Sequence, residues 1–559
     1  MQQQNDFMIK NKVTILISVF LAMFLSALDQ TIVATATPQI IKDLQCMALL
    51  SWIFIAYMLT TTVSAPIFGK LSDLFGRRII YVCGIGIFLV GSALCGLSSS
   101  MLQLIIFRAL QGIGGGAMIV SAMGTIGDFP SETRSKWQGF IGGIYGLANI
   151  VGPFLGGWIS DAFSWRWIFY VNLPLGIPVM FLLWKMMPKN QHQRRDKSID
   201  FLGATLLVLG LIPFLLTFIW GGTEYAWNSQ ETIFLSLTGL ITLILFIFVE
   251  KRASDPIISL SLFKNKVFLT SCGAMFFIWM GMFGAILYLP IFAQSVIGIS
   301  ATHSGIILAP MMIASFLGST LSGQIISRTG RYKGLAIFGV TCILIGYLLF
   351  SFININTTQT TLSMLVIFLG IGMGITMPLF MIVIQSAFER KRIGEVTATF
   401  QLIRSMGATI GTAIMGGVMN NRLAHHLAGI ANDPFILAAK QLGNNKTLEN
   451  ITSSSVRNLL NNASQKQMQA CISQAPENMQ DQLQNCFNQF ITIIKEAFSN
   501  SVGFVFLVSC IFLLIALIIV LFLPTITLRK HKKQPILEEA GKEMATSLGQ
   551  SDKRHEPEL

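Results

Sequence analysis

Fourteen membrane-spanning helices, arranged as two related bundles, form the fold class that the sequence predicts. The chain has 559 residues, of which 53% are hydrophobic and only 12% carry a charge. Soluble domains carry about 25% charged residues, so this composition indicates an all-α polytopic membrane protein. The mean hydropathy of +0.65 agrees with that assignment. Two further observations, the spacing of apolar runs and an internal repeat, predict how the helices are arranged.

Apolar runs that are long enough to cross a bilayer recur along the chain. A transmembrane helix needs about 17–25 mainly apolar residues. The first run is longer than the apolar core of a signal peptide and no A-x-A site follows it, so we interpret it as a helix that stays in the membrane. The predicted spans are residues 13–36, 49–69, 79–98, 102–125, 137–160, 167–187, 199–220, 232–249, 268–294, 303–326, 334–353, 361–387, 397–418 and 501–523.

Basic residues alternate between the joins that connect these spans. Most Lys and Arg lie in the N-terminus, in the joins after even-numbered spans and in residues 525–533, whereas the short joins on the other side hold only Lys42 and Arg166. By the positive-inside rule, both termini are expected to be cytoplasmic. The net charge of +13 is explained by this topology and does not predict a nucleic-acid partner.

One join on the outer side, residues 420–500, is long and polar. Cys471 and Cys486 lie within it. A disulfide between them and a pair of free thiols are alternatives that the sequence leaves open. The composition of the tail after residue 533 predicts a disordered cytoplasmic end.

Two short patterns occur once in each half of the chain. Gly76-Arg77 recurs as Gly330-Arg331, and Gly112-Ile113-Gly114 recurs as Gly370-Ile371-Gly372 at nearly the same spacing. These repeats predict two six-helix bundles related as a parallel repeat, with two extra helices inserted between them. The predicted domains are a first bundle (1–187), the inserted helices with their flanking loops (188–266), a second bundle (267–524) and a tail (525–559).

Asp29 is the most unusual residue of the first span, because it lies more than halfway along an apolar run. A carboxylate near mid-membrane costs about 2.5–3.5 kcal/mol, so residues of this kind usually have a function. Ser26, Gln30 and Val33 are predicted to share its helical face. One interpretation is a site that binds and releases a proton as its surroundings change. The alternative is a structural ion pair with a buried arginine, and Arg108 in span 4 is the expected partner.

Five stretches at defined spans resemble the motifs of one transporter family. The loop after span 2 reads G-x-L-x-D-x-x-G-R-R, span 4 carries R-x-x-Q-G and span 5 carries G-P-x-x-G-G. In chain order the stretches are Leu28–Val33, Gly69–Arg78, Arg108–Gly112, Gly152–Gly157 and Trp165–Pro174. Together they resemble the major facilitator superfamily, and within it the fourteen-helix drug:proton antiporters of the EmrB/QacA type, over residues 10–420 and span 14.

The resemblance implies a multidrug exporter of lipophilic cationic or neutral compounds in the bacterial cell (inner) membrane, working by alternating access. It implies no enzymatic activity and no cofactor, because the proton gradient supplies the energy. The expected partners are the substrate, protons, the lipid bilayer and, in a cell with two membranes, a periplasmic adaptor. An alternative is transport of one physiological solute, such as an organic anion or a siderophore. A further alternative is that the protein is a membrane receptor or scaffold that does not transport.

Candidate site residues follow from the motifs and from the charges inside the spans. Proton coupling is assigned to Asp29 and Arg108, and a role as substrate or charge partner to Gln111, Gln401 and Arg404. No metal site is predicted. Arg404 could equally be a structural cation. A conformational latch is assigned to Gly69, Asp73, Gly76, Arg77 and Arg78, and helix packing typical of antiporters to Gly146, Gly152, Pro153, Gly156 and Gly157.

A stretch of span 9 that is rich in Met and aromatic residues, Met275–Phe283, has two interpretations. Such side chains could line an adaptable apolar pocket. Contact with lipid is the simpler interpretation and the one that the sequence favours.

Overall fold

The protein is built from helices. The computed structural model describes residues 12–44, 46, 49–129, 131–188, 200–222, 224–299, 301–389, 392–427, 430, 433–436, 459, 465, 468–469, 472–473 and 477–525. This part of the chain contains no strand, and its isolated β-bridge joins Gly221 to Tyr225. The all-α prediction is therefore confirmed.

Six helices form the first bundle. They are α1 (Lys12–Leu44), α2 (Leu50–Phe75), α3 (Arg77–Leu97), α4 (Met101–Gly127), α5 (Ser131–Ala162) and α6 (Trp167–Met186, interrupted at Val171). Gly76 alone separates α2 from α3, with a φ of +95° that favours glycine. Ser100 caps α4 by accepting a hydrogen bond from the backbone N–H of Gln103.

Two inserted helices and a second bundle follow. The inserted pair is α7 (Phe201–Trp220) and α8 (Gln230–Glu250). The second bundle comprises α9 (Lys266–Phe292, continued by a π-turn to Ile297), α10 (Ala301–Thr329), α11 (Lys333–Phe350), α12 (Gln359–Ser386), α13 (Ile393–His426) and α14 (Glu477–Leu521). Each of these helices coincides with or covers most of one predicted span.

Thirteen of the described helices are long and apolar enough to cross a membrane. The fourteenth, α5, covers the predicted span 137–160 with 32 residues, and the side chains are described for only part of it. The protein is therefore a multi-pass membrane protein, as its composition predicts.

The two bundles repeat the same helix pairs. In the first bundle α1 packs on α5, α2 on α4 and α3 on α4; in the second, α9 packs on α13, α10 on α12 and α11 on α12. The sixth helix of each bundle packs on the first and third helices. This correspondence supports the parallel repeat that the sequence predicts.

The recurring glycines are places where helices approach closely. A Cβ on Gly112 would collide with Tyr57 and Thr60 of α2, and a Cβ on Gly370 would collide with Met311 and Ala314 at the equivalent place on α10. Small residues at such crossings let two helix backbones come together. The sequence repeat thus preserves one packing contact in both bundles.

The bundles meet through α5 with α10 and through α2 with α13. The inserted helices pair with each other, and α7 lies beside the junction of α2 and α13. We call the end of the bundles that carries residues 69–78 and the start of α13 the latch end, and the opposite end the far end.

At the far end, helices extend into both edges of the long polar join predicted over 420–500. The helix α13 continues to His426 and α14 begins at Glu477, so α14 has 45 residues. At 1.5 Å per residue this is roughly 68 Å, about twice the hydrocarbon thickness. The start of α14 is polar in overall composition, so the sequence did not indicate a helix there. Its apolar face has helical spacing and is formed by the buried residues Leu483, Phe487, Phe490 and Ile494.

Other predictions about this end are partly outside the described residues. Cys471 lies outside them, so the alternative of a disulfide with Cys486 stays open. The tail from residue 526 lies outside them as well.

The two residues Arg166 and Asp43 form a contact at the far end, where Arg166 donates a hydrogen bond to Asp43 at 3.0 Å. A hydrogen bond from Trp165, together with this arginine, lowers the pKa of the Asp43 carboxyl group.

Candidate transport site

Asp29 lies at the centre of the first bundle and is completely buried. Its Oδ2 accepts a hydrogen bond from Nη1 of Arg108 at 2.5 Å, and the Arg108 side chain is only 1% exposed. The structure thus brings together the two residues to which the sequence assigned proton coupling. A buried charge needs a partner of this kind, because an unpaired charge in an apolar interior is strongly disfavoured.

Two amides complete the surroundings of the carboxylate. Gln111 donates from Nε2 to Oδ1 of Asp29 at 2.8 Å, and it accepts from Arg108 at 2.8 Å. Asn172 donates from Nδ2 to the same Oδ1 at 3.2 Å and to Oγ of Ser92 at 3.0 Å. Both oxygens of Asp29 therefore act as hydrogen-bond acceptors.

Sequence reasoning named Gln111 but missed Asn172 as a site residue. Asn172 lies just after the break in α6 and is fully buried. It belongs to the Trp165–Pro174 stretch, which is interpreted from the sequence only as a motif of the family. A polar residue at the start of a long apolar run was the signal that could have identified it.

Arg108 is held from several sides besides Asp29. Its Nε donates to the carbonyl of Ile53 at 3.3 Å. Its guanidinium stacks 4.3 Å from the ring centroid of Tyr57 and 5.8 Å from that of Phe169. These contacts fix the plane of the guanidinium and so orient the donor that reaches Asp29.

A cavity of about 690 Å³ lies between the two bundles. Arg108 and Tyr57 line it, and so does Gln30, whereas Asp29 does not. Asp29 and Gln30 therefore point to different surroundings, although the sequence placed them on one face. Arg108 contacts both the cavity and Asp29, which makes it the physical link between a substrate and the buried carboxylate.

The cavity wall is mainly apolar, with many flexible side chains. Methionine is unbranched and polarisable, so it adapts to ligands of different shapes. Seven aromatic residues also line the cavity, among them Trp279 and Phe283. The methionines are Met58, Met123, Met282, Met311, Met312, Met373, Met377 and Met381.

The span 9 stretch contributes to this wall. Trp279, Met282 and Phe283 line the cavity, so lipid contact, the interpretation that the sequence favoured, is wrong for these three residues. Other members of the stretch, such as Met275, are buried inside the second bundle. Hydropathy alone does not tell a cavity from lipid, because both favour apolar side chains.

Arg404 also lines the cavity, from helix α13 of the second bundle. Its guanidinium stacks 4.5 Å from the ring centroid of Trp279. No hydrogen bond or ion pair to Arg404 is found within the described residues, and its Nε is buried without a partner. Gln401, one turn earlier on α13, also lines the cavity, and its Oε1 is buried without a partner.

At the latch end, Asp73 joins the two bundles. Its Oδ1 accepts the backbone N–H of Gly394 at 3.0 Å and its Oδ2 accepts that of Glu395 at 2.8 Å. These are the first N–H groups of α13, where a carboxylate is stabilised by the helix dipole. A Cβ on Gly69 would collide with Ala398, so glycine permits this close approach.

Of the two arginines predicted to belong to the latch, Arg77 contacts Asp73 and Arg78 does not. Arg77 forms an ion pair with Asp128 at 2.5 Å and lies 3.8 Å from Asp73. Arg78 instead stacks on the ring of Trp184 at 4.5 Å. In the second bundle Ser327, which occupies the position of Asp73, donates to Gln324 of its own helix. The contact is therefore specific to the first copy of the motif.

A second cross-bundle contact at the latch end was not predicted. Gln138 of α5 donates to Oε1 of Gln385 of α12 at 2.8 Å, and Gln385 donates to the carbonyl of Met123 at 3.3 Å. Arg134 donates to Oγ of Ser386 at 2.5 Å. Buried amides within apolar spans were the available signal, but sequence alone does not show that the two face each other.

The predicted packing motif of α5 divides into contacting and non-contacting residues. Gly152 and Gly156 approach Thr31 and Thr35 of α1, and Gly146 approaches Met312 of α10 across the bundle interface. Gly157 has nothing near its Cβ position, and Pro153 is exposed at the surface of the described structure. Tight packing therefore involves only three of the five predicted residues.

Two six-helix repeats enclosing a central cavity define a membrane transporter fold. The family profile described as Major Facilitator Superfamily matches residues 19–412. The chain belongs to this family. It is 38% identical over 545 residues to the multidrug transporter protein MdtP of Bacillus subtilis, covering 95% of this chain and 97% of that protein. It is also 38% identical to multidrug resistance protein 3 of Bacillus subtilis, over 75% of this chain and 81% of that protein.

Solved structures agree on the fold. The human organic anion transporter MFSD10 (TETRAN) matches with a TM-score of 0.54 and 15% identity, over 72% of this chain and 93% of that one. The proton:xylose symporter XylE, bound to 6-bromo-6-deoxy-D-glucose, matches with a TM-score of 0.55 and 13% identity, over 74% and 90%. At these identities the likeness shows the fold alone.

Proposed function

We propose that the protein is a proton-coupled exporter of several lipophilic compounds. The observation that carries the proposal is the buried pair of Asp29 and Arg108, because Arg108 also lines the cavity between the bundles. The names of the relatives, a multidrug transporter and a multidrug resistance protein, support export of drugs. The eight methionines of the cavity wall favour a range of substrates over one solute.

The proposed cycle uses Asp29 as the proton carrier. A proton that enters from outside neutralises Asp29, releases Arg108 and favours the conformation that is open to the cytoplasm; loss of the proton inside restores the pair. One proton moving across roughly 100 mV supplies about 2.3 kcal/mol, enough for about a fifty-fold gradient of substrate. No cofactor takes part in this proposal.

We further propose that the latch end faces the cytoplasm. The basic joins lie at that end, which supports this orientation by the positive-inside rule. In this proposal both termini lie on the cytoplasmic side of a bacterial cell membrane. Hydrogen bonds of Asp73 and Gln385 join the bundles there. The conformation described is then the one that is closed toward the cytoplasm.

Proteoliposomes that contain trapped pyranine, a pH-sensitive dye, test the proposal. Three probes share a pyrene body on a four-carbon chain and differ in the end group: pyrenebutanesulfonate, pyrenebutanol and pyrenebutyltrimethylammonium. Neither charged probe can carry protons across lipid by itself. A gradient of at least one probe should drive proton movement in the opposite direction, and a protonophore should abolish the pH change. If no probe moves protons, the chain is not a proton-coupled exporter of such compounds.

A second candidate is transport of one physiological solute. The two arginines of the cavity wall, Arg108 and Arg404, favour it, because they could bind an organic acid. The candidates differ in selectivity. Competition by unrelated lipophilic compounds for probe binding supports multidrug export, whereas competition by only one small organic acid supports the second candidate.

A further inference from the structure

The cavity has an uneven charge that its two arginines create. Arg108 is paired with Asp29, so its charge is compensated within the first bundle. Arg404 has no ion pair within the described residues, and none of the described lining residues is Asp or Glu. The cavity therefore contains one uncompensated positive charge in a mainly apolar wall. Such a charge is unfavourable unless a partner of opposite sign arrives.

The geometry around Arg404 leaves its hydrogen-bond donors available. One face of the guanidinium is covered by the ring of Trp279, so the donors along its edge remain free to meet a planar or tetrahedral anion. The buried Nε has no partner. Gln401 can add an amide donor from the same helix, and Tyr145 also lines the cavity.

We propose that the cavity selects amphipathic compounds that carry one anionic group, a carboxylate or a sulfonate, and that Arg404 binds this group. The proposal rests on the proposed export function and specifies its substrate class. The apolar body of the substrate packs on methionines and aromatic rings of the wall, while its anion replaces the missing partner of Arg404. A permanent cation meets like charge at Arg404 and finds no carboxylate in the described wall.

The charge balance of export agrees with such a substrate. In each cycle one proton enters and one anion leaves, and no bond forms or breaks in the substrate. In a cell that is negative inside, the membrane potential drives both movements, since the proton moves inward and the anion outward. An exported cation would instead cancel the charge of the entering proton.

Binding of the three pyrene probes to the purified full-length protein tests the proposal. Energy transfer from tryptophan to pyrene reports binding. The sulfonate should bind at least roughly tenfold more tightly than the alcohol, and the trimethylammonium probe most weakly, because a hydrogen bond to a charged group is worth this much. Equal affinity for all three probes, or a preference for the cation, overturns the proposal.

Variants identify the residue responsible. Arg404→Gln should lose the preference for the sulfonate and bind the alcohol with unchanged affinity, and Arg404→Lys should retain part of the preference. Arg422→Gln is the matched control, since Arg422 also lies on α13 and stacks on a ring, that of Phe504 at 4.7 Å, but does not line the cavity. Retention of the full preference in Arg404→Gln, or an equal loss in Arg422→Gln, contradicts the role of Arg404.

The preference for an anion can fail while the proposed export function stands, because the two are measured in different assays. If the cation or the alcohol drives proton movement in the pyranine assay while the sulfonate has no binding advantage, export stands and the anion preference fails. If Arg404→Gln does not fold, Arg404→Lys still decides the matter. A lysine lacks the planar edge, so its sulfonate preference must fall below that of the wild type while alcohol binding stays constant; an undiminished preference overturns the assignment to the guanidinium.

Discussion

Replacing Asp29 by Asn removes the charge of the buried carboxylate and keeps its shape. An asparagine oxygen could still accept the hydrogen bonds from Gln111 and Asn172, which both reach Oδ1. Its amide nitrogen would then face Nη1 of Arg108, where an oxygen now lies at 2.5 Å. A donor would oppose a donor, and the arginine would be left as an unpaired buried charge. We expect Asp29→Asn to lower the free energy of unfolding by about 3–5 kcal/mol.

The double variant Asp29→Asn with Arg108→Gln isolates the interaction energy between the two residues from the contacts that each makes with its other neighbours. It contains no unpaired charge at the site, so its loss of stability should be smaller than the sum of the two single losses by about 2–3 kcal/mol. The assay is unfolding in mixed detergent micelles with a rising fraction of denaturing detergent, followed by tryptophan fluorescence. Additive losses, within about 0.5 kcal/mol, would refute the inference that the two residues act as one unit.

The same measurement bears on the transport cycle. Asparagine has the shape of an aspartate without its charge, so Asp29→Asn reports how far the described conformation depends on the charge of Asp29. Each 1.4 kcal/mol is about a tenfold shift in population. Loss of the charge changes which conformation predominates only when it weakens the described conformation by several kcal/mol relative to the alternative conformation.

Further predictions concern the hydrogen-bond network, the latch and the packing of α5. Asn172→Leu should remove one hydrogen-bond donor from Asp29 and slow proton-coupled transport at least about tenfold, measured by pyranine fluorescence. An unchanged rate would exclude a role for Asn172. Asp73→Asn should remove one of the two hydrogen bonds that the side chain accepts from the start of α13, at a cost of about 0.5–2 kcal/mol. It should also increase the distance between spin labels on α2 and α13, whereas Ser327→Ala should not. Equal effects of these two variants would contradict a one-sided latch. Gly152→Ala should destabilise the protein by about 1–3 kcal/mol through collision with α1, and Gly157→Ala should be neutral in the same unfolding assay.

The features that could be predicted from the sequence are those that depend on a single helix or on the charges within it. Apolar runs predicted the helices, and the repeat predicted two bundles, because both depend on residues close in the chain. The pairing of Asp29 with Arg108 could also be predicted, since a buried carboxylate requires a buried cation and few were available. The extension of α14 was missed because its apolar face is diluted by polar residues on the other faces.

Contacts that depend on the rotation of one helix against another could not be predicted. Asn172 reaches Asp29, and Gln138 meets Gln385, only because of how distant helices are turned toward each other. Likewise, the sequence placed Arg404 inside a span but could not show that it faces a cavity and lacks a carboxylate partner. Hydrophobic patterns define the apolar face of a helix, and they do not identify what that face meets.

Proton movement by the Asp29→Asn variant tests the proposed coupling most directly. Wild-type protein and the variant are compared in proteoliposomes with trapped pyranine, under a gradient of the probe that binds best, and binding of that probe is measured on the same preparations. We expect the variant to bind the probe and to produce no probe-driven pH change. A variant that binds the probe and moves protons at the wild-type rate would contradict the role of Asp29 as the proton carrier.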